Sequence, residues 1–442
     1  MLYSNKDLRK LIIPLIFEQL LALLVGLADT IMIASVGEAA VSGVSLVDTV
    51  NVLIINVFTA LGTGGAVVAG QFLGQKQPDK AGKAAWETNY FAAILGVIVT
   101  IVFIAFHDGV LRLIFGQVEA DVMSNAKSYL VITALSIAPL GIYNACAAMF
   151  RAMGNSRTTL YISIVMNVLN VVGNAILIYG AKIGTAGAAI STTFSRTVAA
   201  VIIFVLMFQQ KRTIHFNGHV SLRFHKDILR RILYIGVPNC LENSFFQLGK
   251  ILTLSMVSTF GTYAIAANAV CNTLAAFNML PCLAINNALL AIVSVCVGAG
   301  ELDQAKYYAK KLMKIANIIL VFLSGAVVLS SEWLVGLYQL SPEAMELAKQ
   351  VLCFHAIMAV VFWIPSFSLP NVFRAAGDVV VPMAVAIFSM WVFRLGMSYV
   401  IGVYMGIGLM GIWIAMIIDW IFRSICYIIR FRSGKWELGS SR

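Results

Sequence analysis

Charged residues are scarce in this sequence. Only 12% of its 442 residues are Asp, Glu, Lys or Arg, whereas 60% are hydrophobic, and the mean hydropathy is +0.90. Soluble domains carry about 25% charged residues, so this composition excludes an ordinary soluble enzyme and predicts a membrane protein. Helices of about 20 to 25 residues with short turns fill the chain with roughly twelve spans and leave no room for a soluble catalytic domain.

Cysteine pairs, metal frameworks and catalytic motifs are also missing. The seven cysteines are scattered through the predicted spans with no C-x-x-C pair, so we interpret them as small buried hydrophobic residues. Three histidines, His215, His219 and His225, have no Cys or carboxylate framework around them, so no zinc site is predicted. Because H-E-x-x-H, G-x-S-x-G and a repeated filter motif are absent, we expect neither an enzyme nor a channel, and no cofactor.

Apolar runs bounded by charges, Gly and Pro define the predicted transmembrane helices. They lie at 11–36, 42–70, 84–106, 122–149, 158–180 and 184–209, and then at 229–259, 262–297, 312–337, 345–372, 380–404 and 407–430. The sequence therefore predicts an all-α membrane protein of twelve transmembrane helices in two six-helix bundles. The corresponding domains are an N-terminal lobe at 1–209, a cytoplasmic linker at 210–228, a C-terminal lobe at 229–431 and a cytoplasmic tail at 432–442.

Basic residues concentrate in alternate loops. Most of the 31 Lys and Arg lie at the N-terminus, in the linker, between Lys306 and Lys314 and in the C-terminal tail, all on one side of the predicted helices. The positive-inside rule makes this side cytoplasmic, so both termini are predicted in the cytoplasm of a multi-pass plasma or inner-membrane protein. The net charge of +11 is interpreted as this topology signal and as attraction to lipid headgroups, not as nucleic-acid binding.

The two halves of the chain repeat each other at a shift of 224 residues. The shift pairs Pro14 with Pro238, Glu18 with Glu242 and Gly37 with Gly261, and FRAMG at 150–154 is answered by FRAAG at 373–377. Since each half has an even number of spans, both halves have the same orientation. The two bundles are therefore predicted to be related by a pseudo-two-fold axis along the membrane normal.

Polar side chains inside the first predicted bundle are candidates for function, because unpaired charge at membrane depth costs several kcal/mol. Glu18 and Asp29 share one face of the first helix, about 16 Å apart. Further polar residues follow on the fifth and sixth helices: Ser163, Asn167, Asn170, Asn174, Ser191, Thr192 and Thr193. Oxygen ligands suit Na⁺ and a desolvated carboxylate suits H⁺, so both ions stay open. For Asn167, Ser191 and Thr193 a role in joining helices is favoured.

The second half keeps only part of this pattern. The counterparts of Asp29, Asn170, Asn174 and Thr192 are Thr253, Arg394, Ser398 and Met416, so the cation set is predicted in the first half alone. The seventh helix instead offers Glu242, Asn243, Gln247 and Lys250 as residues of a substrate cavity or of proton-linked switching, together with Glu18. A structural role of the repeated glutamates stays open, as does a Glu242–Lys250 pair that only neutralises charge. Arg394 and Asp419 are interpreted as a structural pair.

These residues resemble the multidrug and toxic compound extrusion (MATE) family, within the multidrug/oligosaccharidyl-lipid/polysaccharide exporter superfamily. The resemblance rests on IPLIFEQLLALLVGLADTIMIASVG in the first span, VPNCLENSFFQLGK in the seventh and the duplicated F-R-A-x-G motif. It extends over essentially the whole chain.

The resemblance implies an antiporter that exports organic cations, drugs or other amphipathic compounds while Na⁺ or H⁺ enters, by alternating access of two lobes. It places the cation site, including any Na⁺, at Asp29, Asn170, Asn174 and Thr192, and Asn174 stands where many members carry Asp. Lys250 is not a general family feature, so the substrate class stays broad. No protein partner is required, and a monomer is expected. The alternative is a flippase for a lipid-linked oligosaccharide in the same superfamily.

Overall fold

The computed structural model describes residues 2–116, 119–216, 218 and 220–437, and within these ranges it contains helices and no strands. The chain folds as two compact units. The first unit is Tyr3–Cys240, and the second is Leu241–Arg442 together with Leu2. His219 and the last five residues of the predicted tail, 438–442, lie outside the described residues.

The first unit contains eight complete α-helices and begins a ninth. They are α1 (Asn5–Ala34), α2 (Glu38–Gly74), α3 (Pro78–Ala105), α4 (His107–Phe115), α5 (Ala120–Ala134), α6 (Ile137–Ala152), α7 (Ser156–Asn174), α8 (Gly184–Leu206) and α9 (Lys226–Ser258). A π-helical segment, π1 (Ala175–Gly180), extends α7. The division between the units falls inside α9, whose first half packs on α2, where Gly64 faces the backbone of Ile232 and Gly236. The predicted domain boundaries at 209 and 228 remain a prediction.

The second unit continues from α9 with shorter helical pieces. They are α10 (Thr262–Gly298), α11 (Leu302–Leu329), α12 (Ser331–Gly336), α13 (Pro342–Trp363), π2 (Ile364–Ser368), α14 (Leu369–Ala375), α15 (Val380–Ser389), π3 (Met390–Gly396), π4 (Ser398–Tyr404) and α16 (Leu409–Arg432). The middle of α10 is the most buried of its candidate spans, as α2 is in the first unit. Each unit is therefore built around one long central helix.

The internal repeat is visible in the helix bounds. Both α2 and α10 have 37 residues, both α3 and α11 have 28, and each second helix begins 224 positions after the first, at 262 against 38 and at 302 against 78. Gly37 and Gly261 precede α2 and α10 with φ of +139° and +102°, a region that residues with a Cβ avoid. The repeat thus preserves helix lengths and the sharp turns between helices.

The all-α, twelve-helix prediction is confirmed. Among the described residues ten helices are long and apolar enough to cross a membrane, and the pair α5 and α6, bent by 52°, makes an eleventh span. The twelfth is α9, which is 33 residues long but carries more polar side chains. Large apolar residues such as Phe322 (76% exposed) and Leu329 (90% exposed) cover the outer surface, as expected of helices that face lipid.

Helix ends were the weakest part of the sequence prediction. The ninth predicted span begins at residue 312, yet α11 begins at Leu302, because the helix continues through a basic segment that lies beyond its apolar part. The expectation of buried cysteines was also partly wrong. Cys240, Cys353 and Cys426 are only half-buried, and all seven are free thiols.

Two residues of the linker pack into the first unit, although most of its described residues are exposed. Ile214 and Phe216 are fully buried, in contact with aromatic residues of the first unit. The Trp86 indole of α3 donates to the Ser221 carbonyl at 2.8 Å. His225 contacts the buried Glu87 carboxylate at 2.6 Å, and His215 contacts the Arg212 carbonyl at 3.0 Å. Phe216 is buried because Trp86 of α3 and Phe204 of α8 offer it an aromatic surface, whereas Val220 and Leu222 remain exposed.

Small residues allow close helix contacts in the first unit. A Cβ on Gly96 of α3 would collide with the backbone of Ala138 in α6, whereas nothing lies within 4 Å of the Cβ position on Gly325 in α11. Close approach of backbones at glycine is a recurrent source of helix association in membranes. The α3–α6 contact therefore depends on the missing side chain.

Gly96→Ala is expected to destabilise the protein by about 1–3 kcal/mol, because the added methyl group overpacks the α3–α6 contact. The matched Gly325→Ala variant should be neutral or up to about 1 kcal/mol more stable, since helix propensity alone changes. Thermal unfolding in detergent, followed by a thiol-reactive dye on the free cysteines, measures both. Equal melting temperatures for the two variants would contradict the packing argument.

Candidate functional site

The first unit brings together the four residues of the predicted cation site. Asp29 lies near the end of α1, Asn170 and Asn174 in the last turns of α7, and Thr192 in α8. The Asn174 side chain donates from Nδ2 to Asp29 Oδ1 at 2.7 Å. A carboxylate on one helix is therefore bonded to an amide on a second.

The Asn170 amide extends this link to a third helix. With its oxygen and nitrogen assigned from the hydrogen-bonding pattern, Nδ2 donates to Asp29 Oδ1 at 2.7 Å and to Oδ2 at 3.1 Å. The amide oxygen then accepts from Thr192 Oγ1 at 3.2 Å. The opposite assignment sets this oxygen against both carboxylate oxygens, which requires a proton or cation between them. The geometry thus joins α1, α7 and α8 through Asp29.

Asn174 retains a buried acceptor. Its side chain is 1% exposed, and its Oδ1 has no hydrogen-bond partner among the described residues. Leaving such an acceptor unpaired costs about 1–3 kcal/mol. Rotating the amide by half a turn presents Oδ1 to Asp29, where it accepts a hydrogen bond from a protonated carboxyl or contributes an oxygen ligand. The same residues therefore fit Asp29 both as an ionised carboxylate and with a proton or cation bound.

Neighbouring polar groups hold the surrounding helices. Ser191 donates to the Asn170 carbonyl at 2.7 Å, Thr193 donates to the Ile132 carbonyl at 3.0 Å, and Asn167 donates to Ser163 at 3.2 Å. The Ser191 and Thr193 bonds run between helices and agree with the helix-joining interpretation of these two residues, whereas the Asn167 bond lies within α7. The π-helical segment π1 begins directly after Asn174, and such segments occur frequently at functional sites.

Sequence reasoning missed two charged residues beside this site. The charges of Asp48 on α2 and Arg196 on α8 both act on the Asp29 carboxylate. Asn51 donates to Asp48 at 3.4 Å, and Arg196 donates to the Ser136 hydroxyl at 3.2 Å. Both residues lie inside predicted spans, so the criterion that selected Asp29 would also have found them. With Asp29 they give the site two acids and one base.

The repeated glutamates form equivalent ion pairs with the arginines of the repeated F-R-A-x-G motif. Glu18 contacts Arg151 at 3.5 Å and accepts from Thr159 at 2.9 Å. Glu242 contacts Arg374 at 2.6 Å, and both side chains of this pair are only 11–13% exposed. The anticipated Glu242–Lys250 pair is not among the ion pairs of the described residues. The two glutamates therefore connect the middle of α1 and of α9 to the end of the fourth span of each half.

The second unit places basic residues where the first has its cation site. Asp419, fully buried, accepts from Ser389 and from Arg423 Nε at 2.8 Å, and Arg394 Nε lies 3.6 Å from it. The predicted Arg394–Asp419 pair is thus present, with Arg423 as a partner that sequence reasoning missed. Thr253, which replaces Asp29, donates to the Gly249 carbonyl of its own helix at 2.8 Å.

The remaining candidates lie along the second half of α9. Asn243 and Gln247 are half-buried, and Lys250 is exposed, with its ammonium group 5.9 Å from the centre of the Phe246 ring. No ion pair or hydrogen bond joins these three residues to Glu242 in the part of the chain that the structure describes. Lys250 lies close enough to Arg394 for the two charges to repel.

Taken together, twelve membrane-spanning helices, an internal repeat and buried ionisable clusters are typical of a multi-pass transporter. The sequence model of the MatE family matches residues 14–176 and 238–400, two matches that begin 224 positions apart. The chain therefore belongs to the MatE family of MATE multidrug efflux transporters.

Curated relatives cover nearly the whole chain. The "Uncharacterized transporter YisQ" of Bacillus subtilis (strain 168) is 28% identical over 435 residues, covering 96% of this chain and 93% of the relative. The "Probable multidrug resistance protein NorM" of Thermotoga maritima is 27% identical over 437 residues, covering 98% and 93%. The flippase alternative is not favoured by these relatives.

Solved structures share the fold. An outward-facing multidrug resistance MATE family transporter superposes with a TM-score of 0.91 at 20% identity, covering 99% of this chain and 97% of the other. A MOP superfamily transporter from Pyrococcus furiosus superposes with a TM-score of 0.88 at 21% identity, covering 99% and 96%. MATE transporters couple transport to ion gradients.

Glu242→Gln is expected to destabilise the protein by about 3–5 kcal/mol, because it leaves the mostly buried Arg374 without its counter-charge. Adding Arg374→Met to this variant should restore much of the loss, since an apolar side chain needs no partner. Glu332→Gln serves as a control, because the Glu332–Lys349 pair is exposed and contributes at most about 1 kcal/mol. Stability is measured by thermal unfolding in detergent. An equal loss of stability in Glu332→Gln and Glu242→Gln would contradict a structural role for the repeated pair.

Proposed function

We propose that this chain is a secondary active antiporter that exports an amphipathic organic compound while a cation enters through the Asp29 site. The observation that supports this most directly is that Asp29 receives hydrogen bonds from two amides of α7, one of which is bonded to Thr192 of α8. A membrane-embedded carboxylate that joins three helices changes its hydrogen bonds when it binds a proton or a cation. Loading can therefore alter the packing of those helices.

We take H⁺ rather than Na⁺ as the coupling ion, because it requires the smaller rearrangement of the two amides. With Asn170 assigned from the hydrogen-bonding pattern, both amides direct their nitrogens toward Asp29, which stabilises an ionised carboxylate. Binding Na⁺ with several oxygens would require both amides to turn. Protonation requires only one turn, and Asn174 Oδ1 is the buried acceptor that is available for the new O–H donor.

Protonation at Asp29 then weakens the bonds that hold α1 against α7 and α8, lowers the affinity for substrate in the outward-facing state, and drives its release. Thermodynamic linkage requires the reverse effect as well, so substrate weakens proton binding by the same factor. The mechanism therefore needs no cofactor and no second protein chain.

The same proposal places the protein in the plasma membrane as a monomer with both termini in the cytoplasm. It is supported by the basic residues of the chain, which concentrate in the loops on one side of the spans and at both ends. The terminal location can be tested by labelling single introduced cysteines at Ser4 and Lys435, in a variant with the natural cysteines replaced, using a membrane-impermeant reagent on intact cells.

Asp29→Asn is expected to abolish gradient-driven efflux from proteoliposomes, because an amide can neither take up a proton nor carry the charge of the carboxylate. Efflux of a fluorescent amphipath is followed under an imposed H⁺ gradient and then under an imposed Na⁺ gradient. The matched control is Asp121→Asn, an exposed acid in the first turn of α5, which should transport normally. Unimpaired transport by Asp29→Asn would refute the site, and transport driven only by Na⁺ would refute the choice of ion.

Asn174→Leu should lower the H⁺-driven efflux rate by about 10- to 150-fold, since a hydrogen bond to a charged group contributes about 1.5–3 kcal/mol. Asn167→Leu is the matched control on the same helix, because its amide donates only to Ser163 and does not contact Asp29. Both variants replace a γ-branched amide with a γ-branched hydrocarbon, so any steric cost of the larger side chain is common to the two. Similar rates for the two would show that Asn174 contributes to packing and not to coupling.

A further inference from the structure

The second unit carries an excess of positive charge at membrane depth. Arg394 in π3 and Arg423 in α16 contact a single buried acid, Asp419, and Lys250 in α9 lies close to Arg394. Glu242 does not compensate them directly, since its carboxylate is paired with Arg374 at 2.6 Å. Uncompensated charge in this environment is costly and marks binding sites or ion pathways.

Asp419 forms a closer ion pair with Arg423 than with Arg394. Arg423 Nε donates to Asp419 Oδ1 at 2.8 Å, and its Nη2 donates to the Ala386 carbonyl at 3.2 Å. Arg394 is 6% exposed, but its nearest approach to Asp419 is 3.6 Å, and its other polar contact is the weak acceptor Met390 Sδ at 3.8 Å. For Lys250 no acid lies within 4 Å among the described residues. Arg394 and Lys250 thus retain capacity for an anion.

One aromatic ring is shared by all three cations. The centre of the Phe246 ring lies 5.2 Å from the Arg394 guanidinium carbon, 5.9 Å from Lys250 Nζ and 5.9 Å from the Arg423 guanidinium carbon. Phe367 stands beside it, with ring centres 6.4 Å apart in an edge-on arrangement. An aromatic ring stabilises cations brought close together, but only an anion removes their mutual repulsion.

We propose that Lys250, Arg394 and Phe246 bind the acidic group and the adjacent aromatic ring of an organic anion, such as an aromatic carboxylate or sulfonate, and that this is the substrate class of the transporter. The inference rests on the proposed antiport function and names its cargo. Lys250 is the exposed member of the group and meets the acid first, Arg394 supplies planar donors for two oxygens, and Phe246 contacts the ring.

The charges of the two units make such an exchange electrically favourable. The first unit has two acids, Asp29 and Asp48, beside one base, whereas the second has three bases at the Phe246 ring and one acid, Asp419, which contacts two of them. A cation moving inward and an organic anion moving outward both carry positive charge inward. An inside-negative membrane potential therefore drives both halves of the exchange.

Calorimetric titration of the purified protein in a nonionic detergent tests this assignment with two probes that share one ring system. Naphthalene-2-sulfonate is the anion, and 2-naphthyl-trimethylammonium is the cation. We expect the anion to bind and the cation to bind at least about tenfold more weakly, since only the anion gains charge-assisted hydrogen bonds. Equal or tighter binding of the cation, or no binding of the anion, would overturn the assignment.

Three variants test the role of Lys250 in anion binding. Lys250→Gln should weaken anion binding at least about tenfold, because it removes the positive charge. Lys250→Arg should bind the anion like the wild type, because it keeps that charge. Lys349→Gln is the matched control, since Lys349 is a Lys of the same unit whose partner is the exposed Glu332. All three leave the Asp419–Arg423 pair intact. Unchanged anion affinity in Lys250→Gln, or an equal loss in Lys349→Gln, would refute the site.

The outcome separates this inference from the antiport proposal, because titration needs no ion gradient. Lys250-dependent anion binding without any gradient-driven efflux would leave the binding site standing and refute the antiporter. Gradient-driven efflux of an organic cation with no anion binding would leave the antiporter standing and refute the anion-binding site. With both activities present, efflux of the naphthalene sulfonate from proteoliposomes should accelerate when a potassium diffusion potential is imposed in the driving direction.

Discussion

The cost of placing charge at membrane depth governs the interior of both units. Three acids inside the spans are bonded to groups on other helices. Asp29 accepts hydrogen bonds from two amides of α7, Glu242 forms an ion pair with Arg374, and Asp419 accepts from Ser389 and Arg423. Each of these links holds a pair of helices at a defined position. Protonating or neutralising one of these groups therefore changes helix packing, which is what a coupled transporter requires.

The repeat separates what the two units share from what distinguishes them. They share helix lengths, positive-φ glycines before their longest helices and a Glu–Arg pair. They differ at the equivalents of the Asp29 site, where Thr253 and Arg394 replace an acid and an amide. A duplicated scaffold has thus retained its structural ion pairs while the charge of its interior has changed sign. Two units of this kind suit an exchange between ligands of opposite charge.

Irregular helix geometry occurs at both interior clusters. The segment π1 follows Asn174 directly, π2 contains Phe367, and π3 contains Arg394. A π-helical turn accommodates an extra residue and shifts the side chains that follow it. Glycines give close approach nearby, since Gly173 packs on Ser191 and Gly249 on Met390. Local departures from α-helical geometry therefore bring polar groups of different helices into contact.

The sequence by itself determined the membrane environment, the number of helices, the repeat and the residues of the Asp29 site. These follow from apolar run lengths, from a constant shift between the halves and from helical periodicity, all of which are local or additive properties. It also contained Asp48 and Arg196, which we overlooked although they satisfy the same criterion of charge inside a span. Helix ends were displaced because basic segments outside the apolar run remain helical.

Only the tertiary structure decided which ionisable groups meet. The sequence suggested Lys250, on the same helix, as a partner of Glu242, whereas the structure pairs Glu242 with Arg374, more than a hundred residues away. The burial of the linker against α3, the convergence of three cations on Phe246 and the free acceptor of Asn174 likewise depend on contacts between distant segments. Periodicity assigns a side chain to a helix face, but the rotation and packing of whole helices determine what that face contacts.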